Sequence, residues 1–178
     1  MRIIGGKIGG MRLNPPTNLP VRPTTDLAKE ALFNILNNQI DWDESSCLDL
    51  FCGTGNISFE LASRGAVEVD AVDIHHKCLL YVQETAKKHE LNTISTRKAD
   101  VFKFISSCKK TYDFIFADPP YDIAQLPQLP QLIFTNGLLN AGGTLVVEHP
   151  STLKLVAHDY FVETRKYGYS SFSFYKNI

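Results

Sequence analysis

A chain of 178 residues, 44% hydrophobic and 21% charged, is long enough to bury one substantial core and short for two, so a single domain over 1–178 is expected. A formal net charge of −1 argues against coating nucleic acid by bulk charge, yet residues 1–30 carry five bases (Arg2, Lys7, Arg12, Arg22, Lys29) against two acids, Asp26 and Glu30; that is the polarity of a basic arm on a near-neutral body. Cys47, Cys52, Cys78 and Cys108 form no C-x-x-C pair, the five histidines have no partners at metal-ligand spacing, and no apolar run approaches the ~20 residues of a membrane span. Glycine interrupts the first residues too early for a secretory signal, and the expectation is a soluble cytoplasmic protein with neither a metal nor a disulfide framework.

Along the chain, Arg2-Ile3-Ile4 and Met11-Arg12-Leu13 flank two Gly-Gly pairs and read as a small hairpin, the start of an N-terminal arm over 1–22. Prolines between 15 and 23 keep the chain extended up to Thr24-Thr25-Asp26, whose side chains suit a helix N-terminus. The following helix carries Leu27, Ala28, Ala31, Leu32, Ile35 and Leu36 on one face at the 3.6-residue period. Apolar β-prone runs at 47–51, 67–72, 111–117 and 144–148, with a weaker one at 94–98, alternate with amphipathic stretches at 55–64, 75–90 and 125–136. That alternation predicts an α/β fold with parallel strands and right-handed crossovers. Residues 160–166 and 171–175 break the rhythm and read as an antiparallel hairpin closing the sheet.

Chemistry concentrates where the runs end. Leu48-Asp49-Leu50-Phe51-Cys52-Gly53-Thr54-Gly55-Asn56 is an apolar strand passing into a glycine turn that opens a helix, which lets a nucleotide-like ligand approach the backbone. Ser58 stands where a dinucleotide fingerprint wants a small packing residue, so NAD fits less well. Asp73 ends the next strand, where a carboxylate can accept from ribose hydroxyls, and Asp100 ends the weak strand, where it either meets an adenine amine or caps the helix after it. Asp49, Asp73 and Asp100 in succession match the amino-acid end, ribose and base of S-adenosylmethionine. The cofactor set is accordingly Asp49, Phe51, Gly53, Gly55, Asp73, Ile74, Asp100 and Val101.

Asp118-Pro119-Pro120-Tyr121 follows the apolar strand Tyr112-Asp113-Phe114-Ile115-Phe116-Ala117 and is the expected catalytic motif. An exocyclic base amine is a poor nucleophile because its lone pair is delocalised into the ring. The Asp118 carboxylate and the Pro119 carbonyl can accept its two hydrogens and free that lone pair for a methyl group. Tyr121 offers a face on which an extruded base stacks, worth roughly 1 to 3 kcal/mol.

With Arg22-Pro23-Thr24-Thr25-Asp26, Glu30-Ala31-Leu32-Phe33-Asn34-Ile35-Leu36, the glycine turn and Asp118-Pro119-Pro120-Tyr121 in this order, the chain resembles the RsmD-like family of bacterial 16S ribosomal RNA guanine-N2 methyltransferases. The resemblance implies a Rossmann-like class I methyltransferase domain with a seven-stranded, mostly parallel sheet, S-adenosylmethionine as donor, and 16S rRNA in an assembling small ribosomal subunit as substrate. Arg2, Lys7, Arg12 and Arg22 are the candidate RNA contacts, and a monomer is expected. The competing readings are a DNA or RNA adenine or cytosine amino-methyltransferase, which would use the same motif, a non-catalytic RNA-binding assembly factor on the same fold, and a small-molecule methyltransferase.

Overall fold

The β-prone runs assemble into one seven-stranded sheet with the order β3-β2-β1-β4-β5-β7-β6 in the computed structural model, which describes residues 1–22 and 24–178; Pro23, within the expected extended run, lies outside the described residues. The strands are β1 (Ser46–Leu50), β2 (Glu68–Asp73), β3 (Ile94–Lys98), β4 (Tyr112–Ala117), β5 (Leu139–Pro150), β6 (Phe161–Tyr167) and β7 (Ser170–Lys176). β1 to β5 run parallel, and β7 enters between β5 and β6, antiparallel to both. The central strands are buried on both faces, as an all-parallel sheet requires, with Leu48, Leu50, Phe114, Ile115, Val146 and Val147 fully enclosed. Helices α1 (Asp26–Leu36), α2 (Asn56–Ser63), α3 (His76–Lys88), α4 (Val101–Ser107) and α5 (Leu129–Thr135) cover it. Among the described residues no helix is long and apolar enough to cross a membrane.

Two regions depart from the pattern read off the sequence. β5 begins at Leu139 rather than 144, because Tyr112 pairs with Leu139 before the register shifts to Phe114 with Thr144. The Gly142-Gly143 pair that obscures this strand in the sequence sits at the irregularity, with Gly142 at φ 79°. On α1, capped by the Thr25 hydroxyl accepting from Ala28 N–H, Leu27 is 77% exposed while Lys29 is fully buried. Ala28, Lys29, Leu32, Phe33 and Leu36 therefore make the inward face.

The N-terminal hairpin forms, with an Arg2–Arg12 bridge and hydrogen bonds from Ile3 N–H to Met11 O (2.9 Å) and Gly10 N–H to Ile3 O (2.7 Å). It is seated in the body, since Ile3 and Leu13 belong to the core. Glu60 of α2 accepts the Ile4 and Gly5 N–H groups at 2.8 and 3.0 Å and pairs with Lys29 Nζ (3.2 Å) and Arg64 Nε (2.8 Å). A Cβ on Gly6 would stand 1.9 Å from Ser63 O, so only glycine lets the hairpin lie this close to the end of α2.

Candidate functional site

The carboxyl ends of the parallel strands open onto a cavity of about 680 Å³, within the size range of ligand pockets. Asp49, Phe51, Gly53, Asp73, Ile74, Asp100, Val101, Asp118, Pro119, Pro120 and Arg22, all singled out from the sequence, line it. The turn after β1 is wound left-handed at Phe51 (φ 59°), Gly53 (φ 54°) and Gly55 (φ 86°). Phe51 carries backbone strain there that a glycine would not, the kind of strain that collects at binding sites. Gly55 stands behind the cavity wall as the N-cap of α2. A Cβ on it would meet Val82 Cγ2 at 2.9 Å and Phe59 Cε2 at 3.0 Å, so helix packing as well as the turn demands glycine.

The strand-end acids differ in their surroundings. Asp49 is buried and accepts from Ser58 Oγ at 2.6 Å. Burial pushes its carboxyl pKa up to about 7, against the pull of the Ser58 hydrogen bonds and with a further push from Asp73. Asp73 Oδ2 accepts the Gly53 N–H (2.9 Å), locking turn to strand, and its Oδ1 accepts His75 N–H (2.9 Å) beside the His75 ring. Asp100 caps α4, its Oδ1 accepting from Phe102 and Lys103 N–H; the capping role is thus realised, and Oδ2 is not used by it. Among the described residues no group of three or more His, Cys, Asp or Glu could hold a metal ion.

Asp118 lies at the end of β4, its own N–H donating to Leu50 O (3.3 Å). Burial and then the neighbouring Glu148 raise its carboxyl pKa well above the usual range, while Arg22 lowers it. Pro120 O is taken by Ile123 N–H at 3.4 Å. The Tyr121 ring does not line the cavity; the Arg22 guanidinium covers it, with Cζ 3.8 Å from the ring centre, and the hydroxyl meets Ser170 Oγ at 2.8 Å.

Arg22 is the one cation of the four named from the sequence that lines the cavity, among the described residues. Arg2 pairs with Glu30 (3.4 Å). Lys7 Nζ donates to Glu90 O (3.0 Å) in the link before β3, at the end of the sheet opposite the cavity, and Arg12 is exposed on the hairpin.

Sequence patterning missed Glu148, Thr24, Asn56 and Ser170. Glu148, on β5, is buried with its Oε2 accepting from Thr24 Oγ1 at 2.5 Å; burial raises its pKa, and the Thr24 hydrogen bond and Arg22 oppose the rise. Asn56 joins Thr24 O (3.0 Å) to Lys29 Nζ (2.8 Å). A buried polar chain therefore runs from the N-terminal hairpin through Glu60, Lys29, Asn56 and Thr24 to Glu148. The rule that found Asp49, Asp73 and Asp118, an acid at the carboxyl end of an apolar strand, also points to Glu148 after Thr144-Leu145-Val146-Val147.

Comparison with known proteins places this arrangement. The family described as conserved hypothetical protein 95 matches residues 1–176. The putative rRNA methyltransferase YlbH of Bacillus subtilis is 34% identical over 188 aligned positions, covering 99% of this chain and 98% of that protein. The ribosomal RNA small subunit methyltransferase D of Buchnera aphidicola subsp. Baizongia pistaciae is 29% identical over 153 positions, covering 86% and 78%. Among solved structures, a putative methyltransferase, yhhF, from Escherichia coli superposes with a TM-score of 0.85 at 25% identity, covering 99% and 97%. An RNA methyltransferase from Salinibacter ruber in complex with S-adenosyl-L-homocysteine shares the fold, with a TM-score of 0.65 at 16% identity over 88% and 94% of the chains. The architecture is the Rossmann-like fold of S-adenosylmethionine-dependent methyltransferases, and the chain belongs to the conserved hypothetical protein 95 family, the RsmD-like family.

Proposed function

We propose that this protein methylates the exocyclic N2 amine of a guanine in small-subunit (16S) ribosomal RNA, with S-adenosylmethionine as donor, acting as a monomer on RNA of an assembling subunit. The relatives, a putative rRNA methyltransferase and a small-subunit rRNA methyltransferase, support the reaction and substrate class. The observation that carries the reading is that the Asp118 carboxylate opens into the same cavity as Asp49, Asp73 and Asp100.

The residues fit the cofactor. Asp73 would hold the ribose hydroxyls, the Asp100 oxygen left over from capping α4 would accept from the adenine amine, Asp49 and the turn at Gly53 would take the amino-acid end, and Phe51, Ile74 and Val101 would supply apolar wall. S-adenosylmethionine contributes an electrophilic methyl group on a sulfonium. Asp118 accepts one amine hydrogen and the Pro119 carbonyl the other, which turns the nitrogen lone pair out of the ring. Aligning amine and methyl supplies most of the acceleration. Asp118 then takes the proton that the methylated amine releases, and its burial makes it a better acceptor than a solvated aspartate. Tyr121 carries the extruded base, and Arg22 sits where RNA must enter. Arg2, Lys7 and Arg12 stand off the cavity, so any contact they make is with flanking phosphates.

The test is methyl transfer from labelled S-adenosylmethionine to small-subunit RNA, naked and in under-methylated particles. N2-methylguanine is the expected product, with Asp118→Ala lowering the rate about 100- to 1000-fold while still binding cofactor. Label on adenine or cytosine overturns the guanine assignment, and transfer to none of these RNAs overturns the reaction.

A further inference from the structure

The Arg22 guanidinium lies over Tyr121, with Cζ 3.8 Å from the ring centre. Its Nη2 is 3.3 Å from Asp118 Oδ1 and its Nη1 4.0 Å from Glu148 Oε1. Two nitrogens bonded to one carbon thus face a partly exposed and a buried carboxylate, and the guanidinium carbon lies over an aromatic ring. Guanine contains that same fragment: C2 carries the N2 amine and, beside it, the ring N1–H, and both are donors. Adenine and cytosine do not, because the ring nitrogen next to their amine bears a lone pair. An extruded base is read through this edge and through stacking, so the position held by Arg22 has the donor pattern of guanine.

Glu148 is fixed from behind. Glu148 Oε2 is engaged by the Thr24 hydroxyl (2.5 Å), which leaves Oε1 turned to Arg22, and Tyr121 is anchored through Ser170. Arg22 is held less firmly, with about half of its side chain exposed (51%) against 2% for Glu148. It is the more exposed partner in both of its ion pairs.

We propose that Glu148 is the specificity-determining residue of the base site: its Oε1 accepts the N1–H of guanine while Asp118 accepts from the N2 amine, and Arg22 holds the position until the base displaces it. The proposal rests on the reading of Asp118 as the amine acceptor. A ring lone pair placed opposite Glu148 would leave two acceptors facing each other unless the carboxyl, whose pKa burial raises, first takes up a proton. Sites built to hydrogen-bond a donor reject analogues that lack it far more strongly than apolar pockets reject a missing methylene.

The experiment uses RNA in which the mapped target guanosine is replaced by 2-aminopurine riboside, which keeps the N2 amine, exchanges N1–H for a lone pair and lacks the C6 oxygen; the Glu148 variant separates the loss of N1–H from the loss of that oxygen. In single-turnover methylation the wild-type protein is expected to favour guanine about 100-fold. Glu148→Gln, whose amide can turn either its oxygen or its NH2 to the base, slows guanine methylation and brings the two substrates within a few-fold of each other. Wild-type protein that methylates both RNAs equally overturns the proposal, as does a Glu148→Gln variant that binds cofactor normally and keeps the full preference. If that variant does not fold, O6-methylguanosine at the target position, which lacks N1–H but keeps an oxygen on C6, takes its place: methylation by the wild-type protein at the guanosine rate overturns the proposal. N2-methylguanine formed without discrimination against 2-aminopurine removes the role of Glu148 and leaves the proposed function standing, whereas absence of N2-methylguanine removes both.

Discussion

The two halves of the cavity are built in different ways. On the side of β1, β2 and β3, the side chains that shape the wall are fixed by near neighbours in the chain: Asp49 by Ser58, nine residues on, and Asp73 by Gly53, twenty residues back. On the side of β4 and β5, they are fixed by distant ones. Arg22 meets Asp118 across 96 residues, Thr24 meets Glu148 across 124, and Tyr121 meets Ser170 across 49. A strand-turn-helix unit is enough to make the first half, whereas the second exists only where the N-terminal segment, β4, β5 and β7 converge.

The largest effect that separates the halves is expected from Lys29→Met. It leaves the enclosed Glu60 short of a partner and cuts the polar chain that reaches Thr24, at a cost of about 3 to 5 kcal/mol in unfolding free energy. Methyl transfer to RNA should drop by more than cofactor affinity does; equal losses would dissolve the division.

A smaller effect isolates the cofactor side. The folded-state pKa of Asp49 is raised to about 7 from 3.8, so the native protein holds this proton more tightly than the unfolded chain. The stabilisation is complete below about pH 4 and is lost as pH rises through about 7. Tm measured across that window should fall on the order of 5 °C more in the wild type than in Asp49→Asn. Equal slopes would mean that Asp49 is solvated.

Smallest is Asp100→Ala, which removes the cap of α4 and costs about 1 kcal/mol. Asp100→Asn keeps a capping oxygen. A cofactor affinity lowered in both variants, with stability lowered in the first alone, would separate the adenine contact from the cap.

Legibility in the sequence follows the same division. Hydrophobic alternation located the parallel strands, and their terminal acids Asp49, Asp73, Asp100 and Asp118 all line the cavity. What escaped depends on partners far away in the chain. Lys29 reads as a solvated helix position because nothing nearby in sequence announces Glu60, and Leu27, at 77% exposure, shows how far the true inward face of α1 is rotated by that ion pair. The hairpin was visible in its glycines, but its anchorage to Glu60 and Ser63 of α2 was not. Tyr121 follows the end of β4 in the sequence as in the structure, while its cover, Arg22, comes from a proline-rich stretch that carries no periodic signal.

The place of β7 bears on the order in which the protein folds. Contacts between segments far apart in sequence are the slow ones to form, because a long loop must close first. The β1–α2–β2–α3–β3 run can consolidate from neighbouring pieces, but β7 must enter between β5 and β6 before Ser170 reaches Tyr121. Refolding should therefore recover cofactor binding in an earlier kinetic phase than methyl transfer, with the lag set by the insertion of that one strand.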